Sequence, residues 1–577
     1  MLLKLLKSLF AARPAHRDTA EALMARANQA MGTGDLRGAI DQFNSVLALD
    51  AGHEDALLNL GMCHAMLGDM NKAGQWFNRL LTLNPSSAAA HMNLGSIALS
   101  GHRFTVAAQH YAAGLAATGQ ARDAPANAGL TNSLGLSLQR RGLPDEAIAC
   151  FRDVLRGQPD HHDARTNLLF AMQHAPSVKP EELFAEFRNW AQLHEQPVRS
   201  RHPAQAAHSN PADPARRLRI GYVSGDFFQH AVANFIEPVL RHHDRSAYEV
   251  YCYSNREHAD AQTEILRGLS EHWRNIARLD DDAAAQQIRS DSIDILIDLS
   301  SHTFGNRLMV FARKPAPVQI TYLGYPATTG LTSIDYRITD AVADPPGVAE
   351  RYHSEKLLRL PRSQWCYRPK PEAPPLSPLP ALRTGRIMFG SFNNLAKLNS
   401  ETLRLWARVL QALPQTGMTV ACVTDHASRL RVADALIGYG AAPAQIRILG
   451  TLEDAEFWRV REEIDIVLDA FPYNGTTTTC EALWAGLPVV TLAGSHGAAR
   501  NTTSLLHAVG LQELVADSAE QYIAIAAELA GDIGKLAAMR SGMRQRLLDC
   551  GLCDGPRFTG ELEALYRSVW TVWCAEA

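Results

Sequence analysis

Cysteine is scarce in this sequence, and long apolar runs are missing from it. Nine cysteines are spread over 577 residues, whereas small secreted domains held by disulfide bonds carry cysteine far more densely. No stretch reaches the roughly 18 apolar residues that a membrane-spanning helix needs. Neither charge sign dominates, because 56 Lys and Arg stand against 60 Asp and Glu. The composition therefore argues against disulfide-rich secreted, transmembrane and nucleic-acid-binding classes, and it favours a soluble cytoplasmic protein.

Familiar motifs of nucleotide hydrolysis, hydride transfer and zinc chemistry are also missing. The sequence has no GxxxxGK[ST] phosphate loop, no GxGxxG fingerprint at the start of an α/β segment and no HExxH helix. The acidic run Asp280–Asp282 precedes a helix-like stretch, so we interpret it as a solvated first turn and not as a metal site. We predict neither a metal ion nor another cofactor.

The first residues of the chain look like a targeting signal only at first sight. In MLLKLLKSLFAARPAHRD, Lys4 and Lys7 interrupt the apolar run, whereas a secretory signal peptide has a continuous apolar centre. We predict that residues 1–19 form a short amphipathic leader or tail.

The first third of the chain repeats with a period of 34 residues. Three of the four units have Gly in the first helix, where the first unit has Ala27. All four have Ala and an aromatic residue in the second helix, and two end in Pro. Small residues let two helices approach closely, and the aromatic ring fills the space between them. We predict an α-solenoid over residues 20–200, with four repeats up to about residue 160; a generic helical bundle is the alternative. The matching positions are Ala39, Ala73 and Ala107; Phe43, Phe77 and Tyr111; Leu60–Gly61 and Leu94–Gly95; and, after a six-residue insertion, Leu134–Gly135. Pro85 and Pro159 each close a unit.

The remaining two thirds alternate short apolar strands with helix-like segments. This alternation predicts two Rossmann-like α/β lobes, each with a parallel sheet covered on both faces. We place a linker at 201–217, the first lobe at 218–368, a proline-rich hinge at 369–384, and the second lobe with the terminal helix at 385–577. Ligands bind at the carboxyl ends of the strands in such sheets, so we expect the site in the cleft between the lobes.

The stretch NGTTTTCE, residues 474–481, joins a strand-like run to a helix-like run. The first N–H groups of a helix lack partners and carry partial positive charge, and threonine hydroxyls beside them add donors. Such a helix start suits a phosphate group. The carboxylate of Glu481 can accept hydrogen bonds from ribose hydroxyls. The alternative is an ordinary threonine N-cap followed by surplus threonines.

Two further strand-end loops carry polar residues. SFNNLAK places Lys397 where its charge can neutralise a diphosphate leaving group, although a surface lysine is the alternative. GDFFQH ends at His230, which by itself is better explained as a structural histidine that hydrogen-bonds its own loop.

Together these loops resemble those of the repeat-containing protein O-GlcNAc transferases, and also those of the SPINDLY-type protein O-fucosyltransferases. The resemblance rests on RIGYVSGDFFQH, APVQITYLGYPATTG, SFNNLAK and FPYNGTTTTCEALWAGLPVVTLAG, in this order behind the repeats. It implies an inverting, metal-independent glycosyltransferase of the two-lobed GT-B type. The donor would be a nucleotide sugar, with UDP-GlcNAc favoured, and the acceptors Ser or Thr of proteins guided by the repeat groove.

The resemblance also assigns residues. Lys397 corresponds to the lysine that contacts the donor diphosphate, and His230 to a histidine near the sugar and the acceptor; these two are the catalytic candidates. His302 is a candidate contact of the acceptor or the sugar. The donor-binding candidates are Asn394, Asn474, Gly475, Thr476, Thr477, Thr478, Glu481, Leu323, Gly324 and Pro326.

Some positions depart from the animal O-GlcNAc transferases. Thr476 stands where those enzymes have His, Asn394 where they have Gln, and Phe457 where a histidine lies near uracil. These changes surround the base and the diphosphate, so UDP-glucose and GDP-fucose remain alternative donors. A non-catalytic scaffold with nucleotide-sensing lobes is the alternative from another class of protein.

Overall fold

The computed structural model describes residues 19–201 and 208–577. Its contacts divide the chain into two compact units: residues up to Leu138 with Arg152–Pro159, and Gln139–Phe151 with Asp160–Ala577. The predicted leader, residues 1–19, lies almost entirely outside the described residues.

The helices of the first third come in pairs, as the 34-residue period predicts. Asp35 and Asp69, one period apart, each cap the second helix of a pair by accepting a hydrogen bond from the backbone N–H of Gly38 and Lys72. The helices are α1 (Ala20–Gly32), α2 (Leu36–Leu49), α3 (Glu54–Met66), α4 (Met70–Leu83), α5 (Ala88–Ser100), α6 (Phe104–Thr118), α7 (Ala128–Arg140), α8 (Pro144–Gly157), α9 (His162–His174) and α10 (Pro180–Arg201).

The glycines of the repeat lie directly beneath the aromatic rings of the following helix. A Cβ atom added at Gly61 would stand 2.5 Å from Phe77, and one added at Gly95 would stand 2.6 Å from Tyr111. Both rings are buried. The close approach that the repeat pattern predicts is therefore confirmed.

The first α/β lobe contains a seven-stranded parallel sheet in the order β3-β2-β1-β4-β5-β6-β7. Its central strands are buried apolar runs, as a sheet covered on both faces requires. The strands are β1 (Leu218–Ser224), β2 (Tyr248–Ser254), β3 (His272–Asn275), β4 (Ile295–Asp298), β5 (Val318–Thr321), β6 (Tyr336–Asp340) and β7 (Lys356–Leu360), with helices α11 (Ala233–His242), α12 (Ala261–Gly268), α13 (Asp281–Ser290) and α14 (Leu308–Phe311) between them.

The second lobe contains a six-stranded parallel sheet in the order β10-β9-β8-β11-β12-β13. Its strands are β8 (Met388–Ser391), β9 (Gly417–Val420), β10 (Ile446–Ile448), β11 (Ile466–Leu468), β12 (Val489–Leu492) and β13 (Val515–Ala516). Its helices are α15 (Ala381–Thr384), α16 (Ser400–Ala412), α17 (His426–Gly438), α18 (Asp454–Glu462), α19 (Thr477–Trp484), α20 (Asn501–Ala508), α21 (Ala519–Gly531) and α22 (Ile533–Asp549).

The terminal helix α23 (Gly555–Glu576) packs on the first lobe, although the sequence grouped it with the second. The Tyr566 hydroxyl lies 3.2 Å from that of Tyr222 on β1, and the Glu563 carboxylate lies 2.8 Å from His243 Nδ1. The predicted grouping followed chain order, whereas the buried face of the helix has these polar partners on the other side of the hinge.

Two other predicted boundaries differ from the contacts. Helices α9 and α10 belong to the second unit, because Trp190 packs on His302 and Glu195 accepts a 2.7 Å hydrogen bond from the backbone N–H of Ser333. The described end of the linker, residues 208–217, is anchored too: Asn210 donates to the Asp294 carboxylate, and the Trp570 indole donates to the carbonyl of Asp213.

In the part of the chain that the structure describes, no helix is long and apolar enough to cross a membrane.

Candidate active site

Asp469, directly after β11, organises the loop that carries the threonine run. One of its carboxylate oxygens accepts hydrogen bonds from the Gly475 backbone N–H at 3.0 Å and the Asn393 side chain at 3.3 Å. The other accepts from the Thr491 hydroxyl at 3.0 Å. Sequence reasoning missed Asp469, although an acidic residue at the carboxyl end of a buried strand was a usable signal.

The four threonines fall into two groups at the start of α19. Thr476 is the N-cap residue, but its side chain makes no cap hydrogen bond, and the Thr477 hydroxyl is bonded to no described residue. The Thr479 hydroxyl is buried 2.9 Å from that of Thr502, which itself donates to the carbonyl of Gly475. Thr478 makes a long 3.4 Å contact with Asn393. The helix start therefore presents unused hydroxyls beside unpaired N–H groups, which is the arrangement predicted for a phosphate.

Lys397 projects from the turn Leu395–Lys397 to this helix start. Its Nζ donates to the carbonyl of Asn474 at 2.7 Å and lies 4.7 Å from the centre of the Tyr473 ring. Burial lowers the pKa of Lys397 to about 8, against the opposing attraction of Asp469. At neutral pH the side chain is therefore mostly an ammonium ion with few protein partners, and it is held next to the start of α19.

The two asparagines of SFNNLAK have different roles. Asn394 is exposed and caps its own turn by accepting from the backbone N–H of Ala396 at 3.0 Å. Asn393 is buried and links the loop to Asp469 and Thr478. Asn474 is buried as well, with its carbonyl oxygen Oδ1 left without a partner among the described residues.

Glu481 lies one turn into α19 and is already engaged by a cation. Arg461 on α18 donates to its carboxylate at 2.7 Å, and Lys370 Nζ lies 3.9 Å away. The Arg461 guanidinium is 4.0 Å from the centre of the Phe457 ring. The candidate ribose-binding carboxylate thus shares its pocket with an arginine and an aromatic ring, a combination that the sequence did not predict.

On the first lobe, His230 follows the carboxyl end of β1. Its Nδ1 accepts from the backbone N–H of Val232 at 3.3 Å, and lies 3.7 Å from the carboxylate of Asp226. Burial raises the pKa of Asp226, whose second oxygen is buried without a partner among the described residues. Because Nδ1 accepts, the free Nε2 is the nitrogen that can meet a ligand.

His302 is buried under aromatic rings. Its Nε2 donates to the carbonyl of Thr329 at 2.8 Å, and rings of Trp190 and Phe187 pack on it at 4.7 and 5.1 Å. Burial lowers its pKa to about 4, so the imidazole is neutral at physiological pH. Its Nδ1 is a buried acceptor with no partner among the described residues.

The turn after β5 lies where the first lobe contacts the second. Leu323 has a positive φ of 72°, and a Cβ atom on Gly324 would stand 1.9 Å from the carbonyl oxygen of Leu299. The Pro326 carbonyl would lie 2.7 Å from a Cβ atom on Gly497 of the second lobe. A cavity of about 190 Å³ lies beside this contact, with Pro326 and His496 in its wall.

The predicted residues therefore lie in loops, or in the first turns of α19, at the carboxyl ends of strands in the two sheets, but not all of them are in contact with one another. Lys397, Asn474, Gly475 and the threonines form one connected cluster. Among the described residues, neither His230 nor His302 hydrogen-bonds to the second lobe. No group of three or more potential metal-binding side chains occurs in the described ranges.

Comparison with known families agrees with this architecture. The model of glycosyl transferase family 41 matches residues 184–367 and 380–562, more than half of the sequence. The chain belongs to this family. A tetratricopeptide repeat model matches residues 24–88, 79–122 and 132–169, which confirms the repeats predicted from the 34-residue period.

Plant proteins are among the similar ones. A probable UDP-N-acetylglucosamine–peptide N-acetylglucosaminyltransferase SPINDLY of Solanum lycopersicum is 42% identical over 430 residues, covering 73% of this chain and 45% of the relative. The SEC protein of Arabidopsis thaliana is 33% identical over 62% of this chain. This chain thus spans about half the length of the SPINDLY relatives it matches.

A solved family structure covers almost the whole chain. A mutant of the O-GlcNAc transferase of Thermobaculum terrenum superposes with a TM-score of 0.76 and 36% identity, covering 97% of this chain and 99% of that one. The predicted fold class, a repeat solenoid followed by two GT-B lobes, is confirmed.

Proposed function

We propose that this protein is a glycosyltransferase that moves a sugar from a nucleotide donor to Ser or Thr hydroxyls of proteins, with UDP-GlcNAc as the first donor to test. One observation carries the proposal: the Lys397 ammonium lies at the carbonyl of Asn474, beside a helix start whose Thr476 and Thr477 hydroxyls are unused. Charge and donors converge where a departing diphosphate would need them.

The reaction is a direct displacement at the anomeric carbon. The acceptor oxygen forms a bond to this carbon while the bond to the phosphate oxygen breaks, so the configuration inverts and the nucleoside diphosphate leaves. Lys397 and the start of α19 stabilise the negative charge of the leaving group, and no metal ion is required. The acceptor proton passes to a phosphate oxygen of the donor or to a water chain. His230 Nε2, which carries the ring proton while Nδ1 accepts from Val232, donates a hydrogen bond to the sugar or the acceptor.

The donor is identified by incubation with UDP-GlcNAc, UDP-glucose and GDP-fucose in separate reactions. Release of UDP or GDP together with the matching mass on acceptor proteins identifies the donor, and NMR of a glycosylated peptide gives the anomeric configuration. Turnover in excess EDTA tests metal independence. Binding of nucleotide without transfer from any donor would instead support a nucleotide-sensing scaffold.

Replacement of Lys397 tests the site directly. Loss of one well-placed electrostatic donor costs about 3–4 kcal/mol of transition-state stabilisation, so Lys397→Ala should lower turnover roughly 100- to 1000-fold. The measurement is steady-state release of nucleoside diphosphate, with circular dichroism as the folding control. Turnover close to that of the unmodified protein would remove Lys397 from the mechanism.

A further inference from the structure

An aromatic stack lies directly behind the Lys397 ammonium. The Tyr473 ring has Lys397 Nζ 4.7 Å from its centre, and the His174 ring stacks on it at 4.4 Å with only 15° between the ring planes. Cations are attracted to the face of an aromatic ring. The direction of the ammonium group therefore depends on where the Tyr473 ring lies, and that ring lies against His174.

His174 is itself held firmly from both sides. It is the last residue of α9, and its Nδ1–H donates to the carbonyl of Phe170 one turn earlier at 2.8 Å. Its own carbonyl accepts a 3.2 Å hydrogen bond from the Asn399 side chain, which also donates to the carbonyl of Phe471 at 2.7 Å. One amide thus ties the end of α9 to the segment that carries Tyr473.

The electrostatics fit a neutral ring at this position. Burial lowers the pKa of His174 to about 3, and three cationic or basic groups face it: Lys397, Arg140 and His496. An imidazolium here would repel the ammonium that it supports, whereas the neutral ring does not. On the other side, Asp469 is the charged group that faces Lys397.

We propose that His174 is a positioning residue for Lys397: its neutral ring fixes the Tyr473 ring, and Tyr473 fixes the direction of the ammonium group toward the leaving phosphate. His174 acts through Tyr473 and does not touch the substrate. The role in catalysis rests on the proposed function, whereas the effect on Lys397 does not. A misplacement of about 1 Å can cost 100-fold in rate, so the expected effect is large.

The test compares His174→Ala with His174→Phe. The alanine variant removes the ring and admits water to Lys397, whereas the phenylalanine variant keeps a ring that can stack on Tyr473. We expect His174→Ala to lower kcat about 10- to 100-fold with little change in KM for the donor. We expect His174→Phe to keep most of the activity.

A second measurement does not depend on turnover. Competitive labelling of Lys397 with acetic anhydride across the pH range, followed by mass spectrometry, reports the pKa of its amine. In the unmodified protein the midpoint should lie at about 8. In His174→Ala it should rise toward the ordinary lysine value of about 10.4, because water then solvates the ammonium. In His174→Phe it should stay near the original value.

Leu169→Ala is the matched control. Leu169 is a fully buried residue of the same helix, and its side chain has no ring to stack on Tyr473. The Leu169→Ala variant should have a lower melting temperature but an unchanged pH midpoint for the labelling of Lys397. A midpoint that is unchanged in His174→Ala, or that moves equally in Leu169→Ala, would overturn the positioning role. Sugar transfer by the unmodified protein tests the proposed function separately, so either idea can fail alone.

Discussion

Thr477 and Thr479 are two positions apart on α19, yet their hydroxyls face different surroundings. The Thr477 hydroxyl has no described partner, whereas that of Thr479 is buried against Thr502. Helix geometry therefore divides a repeated residue type into a part whose hydroxyls have no described partner and a part that packs in the interior. The sequence alone shows only that the run is a helix start, because the direction of each hydroxyl depends on the neighbouring helix α20.

Valine substitutions separate the two parts. Thr477→Val should weaken binding of the nucleoside diphosphate about tenfold, since a hydrogen bond to a charged group contributes about 1.5 kcal/mol or more. Its unfolding free energy should change by less than about 0.5 kcal/mol. Thr479→Val should show the reverse: about 1–3 kcal/mol less stability, because it breaks a buried hydrogen bond, and unchanged nucleotide affinity. Calorimetric titration and urea unfolding measure both quantities, and equal effects of the two variants would contradict this division.

At the scale of elements, the repeat helices pair through a glycine beneath an aromatic ring. Gly61 has no room for a methyl group, because its Cβ would lie 2.5 Å from Phe77, whereas a Cβ on Gly74 of α4 would meet nothing within 4 Å. Both glycines lie inside helices, where alanine is favoured by roughly 0.5–1 kcal/mol. Packing therefore decides whether each Gly→Ala substitution stabilises or destabilises the protein.

We expect Gly61→Ala and Gly74→Ala to act in opposite directions. Overpacking should make Gly61→Ala destabilising by about 1–3 kcal/mol. Gly74→Ala should stabilise its helix by about 0.5–1 kcal/mol, since it meets no clash. Thermal unfolding followed by circular dichroism measures both. Stabilisation by Gly61→Ala would show that the Phe77 ring can move aside at little cost.

Several elements were predictable because their signal is local, and others were not. The repeats and strands follow from periodicity, and the start of α19 at Thr477 follows from the turn before it. The packing of α23 on the first lobe depends on contacts such as Tyr222 with Tyr566, which lie 344 positions apart. The pairing of Glu481 with Arg461 likewise joins two helices, so no local pattern could show that this carboxylate has a cationic partner.

At the scale of the whole molecule, the candidate site draws on both lobes of the second compact unit. The cluster around Lys397 and the start of α19 lies on the second lobe, His230 lies on the first, and Pro326 contacts Gly497 between them. A ligand that binds this unit in its folded form stabilises it by mass action, by about 2.7 kcal/mol at 100 times its Kd.

Calorimetric melting can therefore assign the site to one unit. Two compact units need not unfold in one step, so we expect separable transitions. The nucleoside diphosphate product should raise only one of them, and Lys397→Ala should abolish most of that rise because the ammonium partner of the phosphate is gone. Gly61→Ala should lower the other transition and leave the ligand-induced rise intact. UDP and GDP are compared in parallel, so the larger rise in transition temperature also identifies the preferred nucleobase. A rise that persists in Lys397→Ala would place the nucleotide away from the α19 helix start.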